Sequence, residues 1–273
     1  MKKPLDLEEF FYLENKEKTT KKLCSFINSG KNKIHLLLDF DRTLTKGRDR
    51  SGKDLTVWGV LKALLPPGAQ LEYDQLYEKY RVLEIENRLS TVAAIQWWKS
   101  ILNLYKENKI KLSEIKKAAN QIQIRPYSKK LFEICKKKNI PIIIISAGIK
   151  NVIELFDKKA KINPTLLLST ELTFSSKGYV NGWKKSSLIH VLNKKEKGHH
   201  EIKNIKFSRP NTILLGDSLD DVSMVNGENN LKIAVYDPRK DSKNEKLKEF
   251  IEKFDLIIKG ETLYPVIKIL NLF

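Results

Sequence analysis

Apolar runs alternating with helical stretches predict an α/β fold, a doubly wound parallel sheet carrying an inserted helical module. Three observations predict it. Ile34 to Leu38, Pro141 to Ile145 and Thr212 to Leu215 are short apolar runs of the kind that lie buried on both faces in a parallel sheet. Each run ends in polar chemistry: Asp39 and Asp41 after the first, Ser146 after the second, and Gly216 with Asp217, Asp220 and Asp221 after the third. Between the first two, about Asp54 to Gln123 reads as helix throughout, with no strand pattern.

In chain order, Leu5 to Ile27 has an apolar face including Phe10, Leu13, Leu23 and Ile27, and reads as one helix ended by Gly30. The first strand follows, then a polar linker, Gly47 to Gly52. In the helical block, Leu55 to Leu65 is stopped by Pro66-Pro67-Gly68. Tyr73 to Asn87 is a second helix, Thr91 to Tyr105 a third with Ser90 as its cap, and Ser113 to Ile122 a fourth with Ser113 as N-cap. Beyond Pro126 helices are expected at Ser128–Lys138, Lys150–Lys158, Ser186–Asn193, Leu219–Val225, Ser242–Lys253 and Leu263–Leu270. Strands are expected at Pro141–Ser146, Thr165–Ser169, Thr212–Gly216, Leu231–Val235 and Asp255–Ile258, with a hairpin-like region around Thr173 to Asn181. Lys194 to Glu201, rich in lysine and histidine, reads as an exposed loop, and His199 and His200 as loop residues rather than ligands.

Composition narrows the class. At 273 residues and 41% apolar, the chain is long enough for one large domain or a core with a second module. Cys24 and Cys135 match no metal or redox spacing, so a reduced, cytoplasmic setting is expected. Asp6, Glu8 and Glu9 interrupt the N-terminal region where a signal peptide would need an apolar stretch, and Ile140 to Ala147 is too short for a membrane span. The 51 Lys+Arg against 33 Asp+Glu leave a net charge of +18. The lysines are spread along the chain, with no arginine-rich arm, zinc spacing or RNP-like strand. They read as a lysine-rich surface rather than a nucleic-acid footprint, and their field would attract small anions such as phosphates.

Ligands in parallel α/β sheets bind at the carboxyl ends of the strands, which gives the polar run-ends their meaning. Two carboxylates two residues apart, Asp39 and Asp41, can hold a divalent cation or divide the roles of nucleophile and acid/base. The same pattern also occurs in plain strand exits. Ser146, with Ala147 and Gly148 ahead of a helix, can bind phosphate oxygens, or simply cap that helix. Lys184 and Lys185 could neutralise a phosphoryl group beside a carboxylate. Three carboxylates within five residues, Asp217 to Asp221, repel one another unless a cation offsets them.

In that order, D-x-D-x-T, Ser, Lys and G-D-S-x-x-D, the motifs resemble the haloacid dehalogenase-like (HAD) superfamily of phosphatases and phosphotransferases. The segments D-F-D-x-T-L, S-A-G-I, G-W-K-K-S-S-L-I-H-V-L-N-K (Gly182 to Lys194) and L-L-G-D-S-x-x-D-x-x-M-x-x-G (Leu214 to Gly227) are similar to the cytosolic 5′-nucleotidase III, or pyrimidine 5′-nucleotidase, family.

The resemblance implies a HAD-like Rossmannoid core with a C1-type cap, and Asp39 as a nucleophile forming an aspartyl-phosphate. Asp41 would be the acid and then the base. Mg²⁺ would be held by Asp39, the Asp41 carbonyl and Asp217, with Asp221 orienting the metal's water or the lysine. Ser146 and a lysine would hold the phosphate, and counting back from His190 places that lysine at Lys185, with Lys184 the alternative. The long gap from Asp41 to Ser146 locates the cap. The expected organisation is a first core segment over 1–47, a helical cap over 48–124 and a second core segment over 125–273.

A family stretch resembling V-L-E-I-E-N-R-L-S (Val82 to Ser90) places a base-recognising glutamate at Glu84. Trp97 or Trp98 could stack on a base, or pack the cap interior. The reading is a monomeric, Mg²⁺-dependent 5′-nucleotidase acting on nucleoside monophosphates such as UMP and CMP, with no membrane partner. One rival is a phosphatase of the same fold with a small non-nucleotide substrate. The other is a basic nucleic-acid-binding protein with an idle site, against which stand the intact Asp39, Asp41, Lys185, Asp217 and Asp221.

Overall fold

A computed structural model describes residues 6–237 and 245–273. The predicted sheet is present. Its seven strands are β1 (Phe11–Tyr12), β2 (Ile34–Leu38), β3 (Ile142–Ile149), β4 (Leu166–Thr170), β7 (Asn211–Gly216), β8 (Asn230–Val235) and β9 (Leu256–Ile258), in the order β1-β9-β8-β7-β2-β3-β4. Every neighbouring pair is parallel except β1 with β9. β2 is central and wholly buried, with Leu38 beside Ile144 of β3 and Leu215 of β7. The three strands that end in the candidate side chains are therefore adjacent. A separate hairpin joins β5 (Leu172–Phe174) to β6 (Val180–Trp183), where a hairpin-like region was expected.

Between β2 and β3 lie the helices α3 (Val57–Lys62), α4 (Pro67–Ile85), α5 (Thr91–Glu107), α6 (Leu112–Ala119) and α7 (Ser128–Lys138). The Ser90 hydroxyl caps α5 by accepting the Ala93 N–H at 3.1 Å. Helix α4 packs along α5, and α5 also meets the β6 hairpin strand. Around the sheet lie α2 (Lys16–Ser29), α8 (Lys150–Ala160), α9 (Lys203–Ser208), α10 (Glu245–Lys253) and α11 (Tyr264–Leu270). Residues 242–244 of the expected Ser242–Lys253 helix lie outside the described residues.

Four expectations are corrected. The single N-terminal helix is split: a one-turn helix α1 (Leu7–Phe10) leads into β1, which pairs with β9 (Phe11 opposite Ile258), and α2 starts afresh at an Asn15 cap. Pro66 and Pro67 begin α4 rather than ending a helix, because proline at the first turn gives up only an unused N–H. Helix α6 begins at Leu112, not after Ser113: the Glu114 carboxylate accepts the Lys111 N–H at 2.7 Å and closes its first turn.

The fourth correction is the largest. The expected helix Ser186–Asn193 and exposed loop Lys194–Glu201 form one series of short 3₁₀ turns between Lys185 and Ile202. Lys194 and Glu196 in it are buried, at 8% and 2% exposure. Ile189 and Ile202 pack on the face of the sheet with Leu37, Ile143, Ile145 and Leu214, so irregular chain covers a face that a helix was expected to cover.

Candidate active site

Strand β2 delivers Asp39, whose N–H still bonds the Leu215 carbonyl at 3.0 Å, so the nucleophile candidate sits on the last rung of the ladder. Two residues on, Asp41 turns to the start of α3, where its carboxylate accepts the Val57 N–H at 2.9 Å. Arg42 between Asp41 and Thr43 adopts the left-handed region, φ 61°. The buried Arg125 holds this loop from behind, its guanidinium donating to the carbonyls of Arg42 and Thr43.

Strand β3 contributes Ser146, 2% exposed, whose hydroxyl accepts the Gly148 N–H at 3.1 Å. The strand was expected to end here. It runs on to Ile149, with its pairing to β4 shifting register between Ile145 and Ile149. That bulge turns Ser146–Gly148 out of regular pairing. Gly148 also lets α3 approach, since a Cβ there would lie 3.1 Å from Cβ of Val57.

Strand β7 ends at Gly216. Asp221 folds back beneath it, one carboxylate oxygen accepting the N–H groups of Asp217 and Ser218, both at 3.0 Å. A Cβ on Gly216 would lie 2.5 Å from Cβ of Asp221, so glycine is required for this return.

The three strand ends meet at a lysine, but not the expected one. Lys194 Nζ donates to Asp39 at 2.5 Å and to Asp221 at 2.7 Å. Lys185 is exposed in a 3₁₀ turn and does not line the cavity, and Lys184 is paired with Glu171. The count back from His190 presumed helical spacing, which this segment does not have. The signal was present at the end of the quoted L-I-H-V-L-N-K run, which closes on Lys194.

The site faces a cavity of about 430 Å³. Asp39, Asp41, Ser146, Ala147, Gly148, Asp217 and Asp221 line its floor, and Glu84, Trp97 and Trp98 line its wall, so apart from Lys185 the sequence-derived set is brought together. Sequence reasoning missed Arg42, Arg48, Asp54, Trp58, Lys62, Tyr73, Tyr77 and Arg81, which also line it. Arg42 is the variable position of the D-F-D-x-T-L motif, and the others come from helix faces and the stretch ahead of α3 that carried no motif.

The wall is an aromatic stack. Trp97 lies on Tyr80 with 5.6 Å between ring centroids and abuts Trp98 edge-on, while Trp98 meets Trp58 edge-on. Trp98 Nε1 donates to the Ala147 carbonyl at 3.0 Å, tying α5 to the bulge of β3. Both tryptophans are nearly buried, so packing and cavity lining are satisfied by the same rings. Glu84 is 9% exposed and paired with Arg81.

Burial raises Asp39 well above the usual carboxylate range, with Asp221 and Asp217 adding to the rise and Lys194 opposing it. Burial also pushes Asp41 up to about 7, against the pull of the Val57 N–H and Arg42. Burial alone would lower Lys194, but the charges of Asp221 and Asp39 outweigh it and hold it raised. Glu84 is raised by burial against Arg81.

Oxygens of Asp39, Asp217 and Asp221 lie within 4.8 Å of one another. The cavity as a whole is lined by eight carboxylates and five cationic side chains. A phosphate would be repelled by that lining, and a hard divalent cation with oxygen ligands fits both the donor set and the charge deficit.

The floor thus joins an acidic D-x-D strand end, a serine, a lysine and a second acidic strand end on one edge of a parallel sheet, the order in which the sequence motifs resemble those of HAD-like phosphatases. Comparison with known proteins gives the family. A family model described as pyrimidine 5′-nucleotidase (UMPH-1) matches residues 42–273, and the chain belongs to that family. A Xenopus laevis relative, 7-methylguanosine phosphate-specific 5′-nucleotidase A, is 27% identical over 268 residues, covering 92% of this chain and 91% of its own. The crystal structure of cytosolic 5′-nucleotidase IIIB bound to cytidine superposes with a TM-score of 0.82 at 24% identity, covering 98% of this chain and 97% of that one. A phospho-aspartyl intermediate analogue of phosphoserine phosphatase shares the fold at a TM-score of 0.59 and 19% identity, covering 87% and 98%. The chain is thus a phosphoric monoester hydrolase of the 5′-nucleotidase kind.

Proposed function

We propose that this protein is a Mg²⁺-dependent 5′-nucleotidase that cleaves nucleoside monophosphates through an aspartyl-phosphate. The observation that carries the reading is Asp39 bound to Lys194 beneath an aromatic cavity, with Asp41 two residues away and titrating near 7. An Asp39 oxygen attacks phosphorus and the P–O5′ bond breaks. The 5′ oxygen leaves as a hydroxyl with the proton of Asp41. Asp41, now ionised, takes a proton from water as that water attacks the phosphoryl group, releasing phosphate and restoring Asp39. A nucleoside in place of water would give a phosphotransferase side activity. Lys194, with the Ser146 hydroxyl and the Ala147 N–H beside it, holds the phosphoryl oxygens as charge develops on them, and Gly148 orients that hydroxyl through its N–H.

The cation would be held by Asp39, Asp217 and the Asp41 carbonyl, and would supply positive charge opposite the phosphate. Asp221 is committed to Lys194 and to two N–H groups, which suits it to orienting rather than ligating. Helices from the 48–124 stretch act as a cap, since Trp58, Tyr73, Tyr77, Arg81, Glu84, Trp97 and Trp98 all reach the cavity. The protein works as a monomer in the cytoplasm, a setting in keeping with its two free cysteines. Among the described residues no helix is long and apolar enough to cross a membrane.

For the base, UMP and CMP are the first reading, with an aromatic ring face for stacking and Glu84 for the polar edge. The specificity for which the relatives are named favours a second, 7-methylguanosine monophosphate. Its cationic base would gain from both the tryptophan faces and the Glu84 carboxylate.

The test is phosphate release from UMP, CMP, 7-methyl-GMP, AMP, GMP, phosphoserine and glucose 6-phosphate, with Mg²⁺ and with EDTA, beside Asp39→Asn. Metal-dependent turnover of nucleotides, lost in the variant, supports the activity, and the ranking of the first three assigns the base. Turnover confined to phosphoserine or the sugar phosphate overturns the nucleotide reading.

A further inference from the structure

Lys194 is delivered by a segment with no regular helix, so no continuous backbone ladder fixes its register. What does fix it lies two residues on. Glu196 is buried and reaches His35, which sits in the same strand, β2, that delivers Asp39. Glu196 Oε1 is 2.7 Å from His35 Nε2, and Lys206 pairs with the other carboxylate oxygen. His35 Nδ1 lies 2.8 Å from the Arg209 carbonyl. The Thr212 hydroxyl stands 3.3 Å from His35 Nε2 and 3.4 Å from Glu196. The other charged group at this spot, the Arg209 guanidinium, is turned to the carbonyls of Lys31 and Ile34.

Both ring nitrogens of His35 thus face acceptors. A neutral imidazole has one donor nitrogen and one acceptor, so it cannot satisfy a carbonyl and a carboxylate together. The pair therefore holds one proton more than neutral imidazole plus carboxylate. Burial would raise Glu196, yet its bonds from His35 and Lys206 hold it below the usual range. None of these groups lines the cavity.

A carboxylate this deep is costly to bury, and a buried ion pair contributes little stability that apolar side chains could not match. Its best-attested use is to specify register. We propose that Glu196 is a positioning residue for Lys194. Its buried bond to His35 locks the turn segment in the one register that lets the Lys194 ammonium reach Asp39 and Asp221 together. The proposal rests on Lys194 being the phosphate-binding lysine of the nucleotidase reading.

The test is Glu196→Gln, which keeps the shape and removes the charge. With the best nucleotide of the panel, kcat is expected to fall and KM to rise, together lowering kcat/KM about tenfold, the cost of a slightly misplaced catalytic group. Added to Lys194→Ala, the same change should cost nothing further, because its effect passes through the lysine. Equal losses in both backgrounds, or an unchanged kcat, would overturn the proposal.

Side-chain ¹⁵N spectra of the native protein should show a hydrogen-bonded proton between His35 Nε2 and Glu196, and its absence would sink the pairing. Should Glu196→Gln fail to fold, Glu196→Asp, which keeps the charge but shortens the reach, takes its place with the same expectations. Binding of inorganic phosphate, which needs Lys194 but no turnover, is read in parallel. An approximately tenfold weaker Kd in the variant supports positioning even where the native protein turns over no nucleotide. An unchanged Kd in that case overturns it.

Discussion

Gly216 is one of the tight points of the site, since even a methyl group there would meet Cβ of Asp221 at 2.5 Å. Gly216→Ala is expected to push Asp221 off Lys194 and cost about 1–3 kcal/mol of stability through overpacking. Thermal unfolding would show a folded but weakened protein, and phosphate release would drop with it. Asp41 makes a prediction of opposite character. Its pKa in the folded protein, about 7, is above its ordinary value of 3.8, so the native state holds a proton that the unfolded chain gives up sooner. Its favourable contribution is complete below the ordinary value and is lost as pH rises through about 7. Metal-free protein should therefore lose Tm between about pH 4 and pH 7, and Asp41→Asn should flatten that slope. At this scale most of the site was legible in the sequence, because Asp39, Asp41, Ser146, Asp217 and Asp221 sit at strand ends, where the apolar runs point to them. Lys194 was not. Its placement depends on 3₁₀ turns and on a buried partner 161 residues away in sequence, His35 for Glu196, which no local spacing encodes.

Among the elements, the strands and long helices followed from apolar runs and caps, since burial on both faces of a parallel sheet leaves a pattern that survives without context. The failures cluster where short elements borrow their stability from neighbours. Two residues of β1 are a strand only because β9 is beside them, and the turns around Lys194 add side-chain bonds from His190 and Asn193 to single backbone bonds of their own. The contact of α5 with β3 is a point where one bond joins two elements. Trp98→Phe keeps a ring but deletes the donor to Ala147, at about 1 kcal/mol for the lost bond. The expected result is a small fall in Tm together with a rise in KM as the wall of the cavity loosens. A variant with an unchanged KM would show that this tie plays no part in binding.

Across the whole molecule, the charge of the chain and of its cavity have opposite signs. The protein carries +18, while eight carboxylates face five cationic side chains in the cavity. On the proposed reading the outer field would draw a nucleotide inward, and the floor would turn it away until a divalent cation is bound. Two measurements separate these effects. Raising monovalent salt from about 50 to 300 mM should lower kcat/KM for a nucleotide while leaving inhibition by an uncharged nucleoside unchanged, since screening acts on the charged partner alone. EDTA should abolish phosphate release at every salt concentration. A nucleotide rate indifferent to salt would mean that the basic surface does not steer substrate. The sign of the net charge was readable from composition, but its separation from the acidic cavity depends on which side chains the fold turns inward.

Three of the four tryptophans, Trp58, Trp97 and Trp98, border the cavity, while Trp183 stands apart on the β6 hairpin. The molecule thus carries its own optical probe. A nucleobase sliding against those indoles would quench their ultraviolet emission, and the residual light from Trp183 would serve as an internal standard. Occupancy could be followed in real time by stopped-flow mixing, with no dye, label or coupled assay, and the arrival of a base distinguished from the later departure of its phosphate.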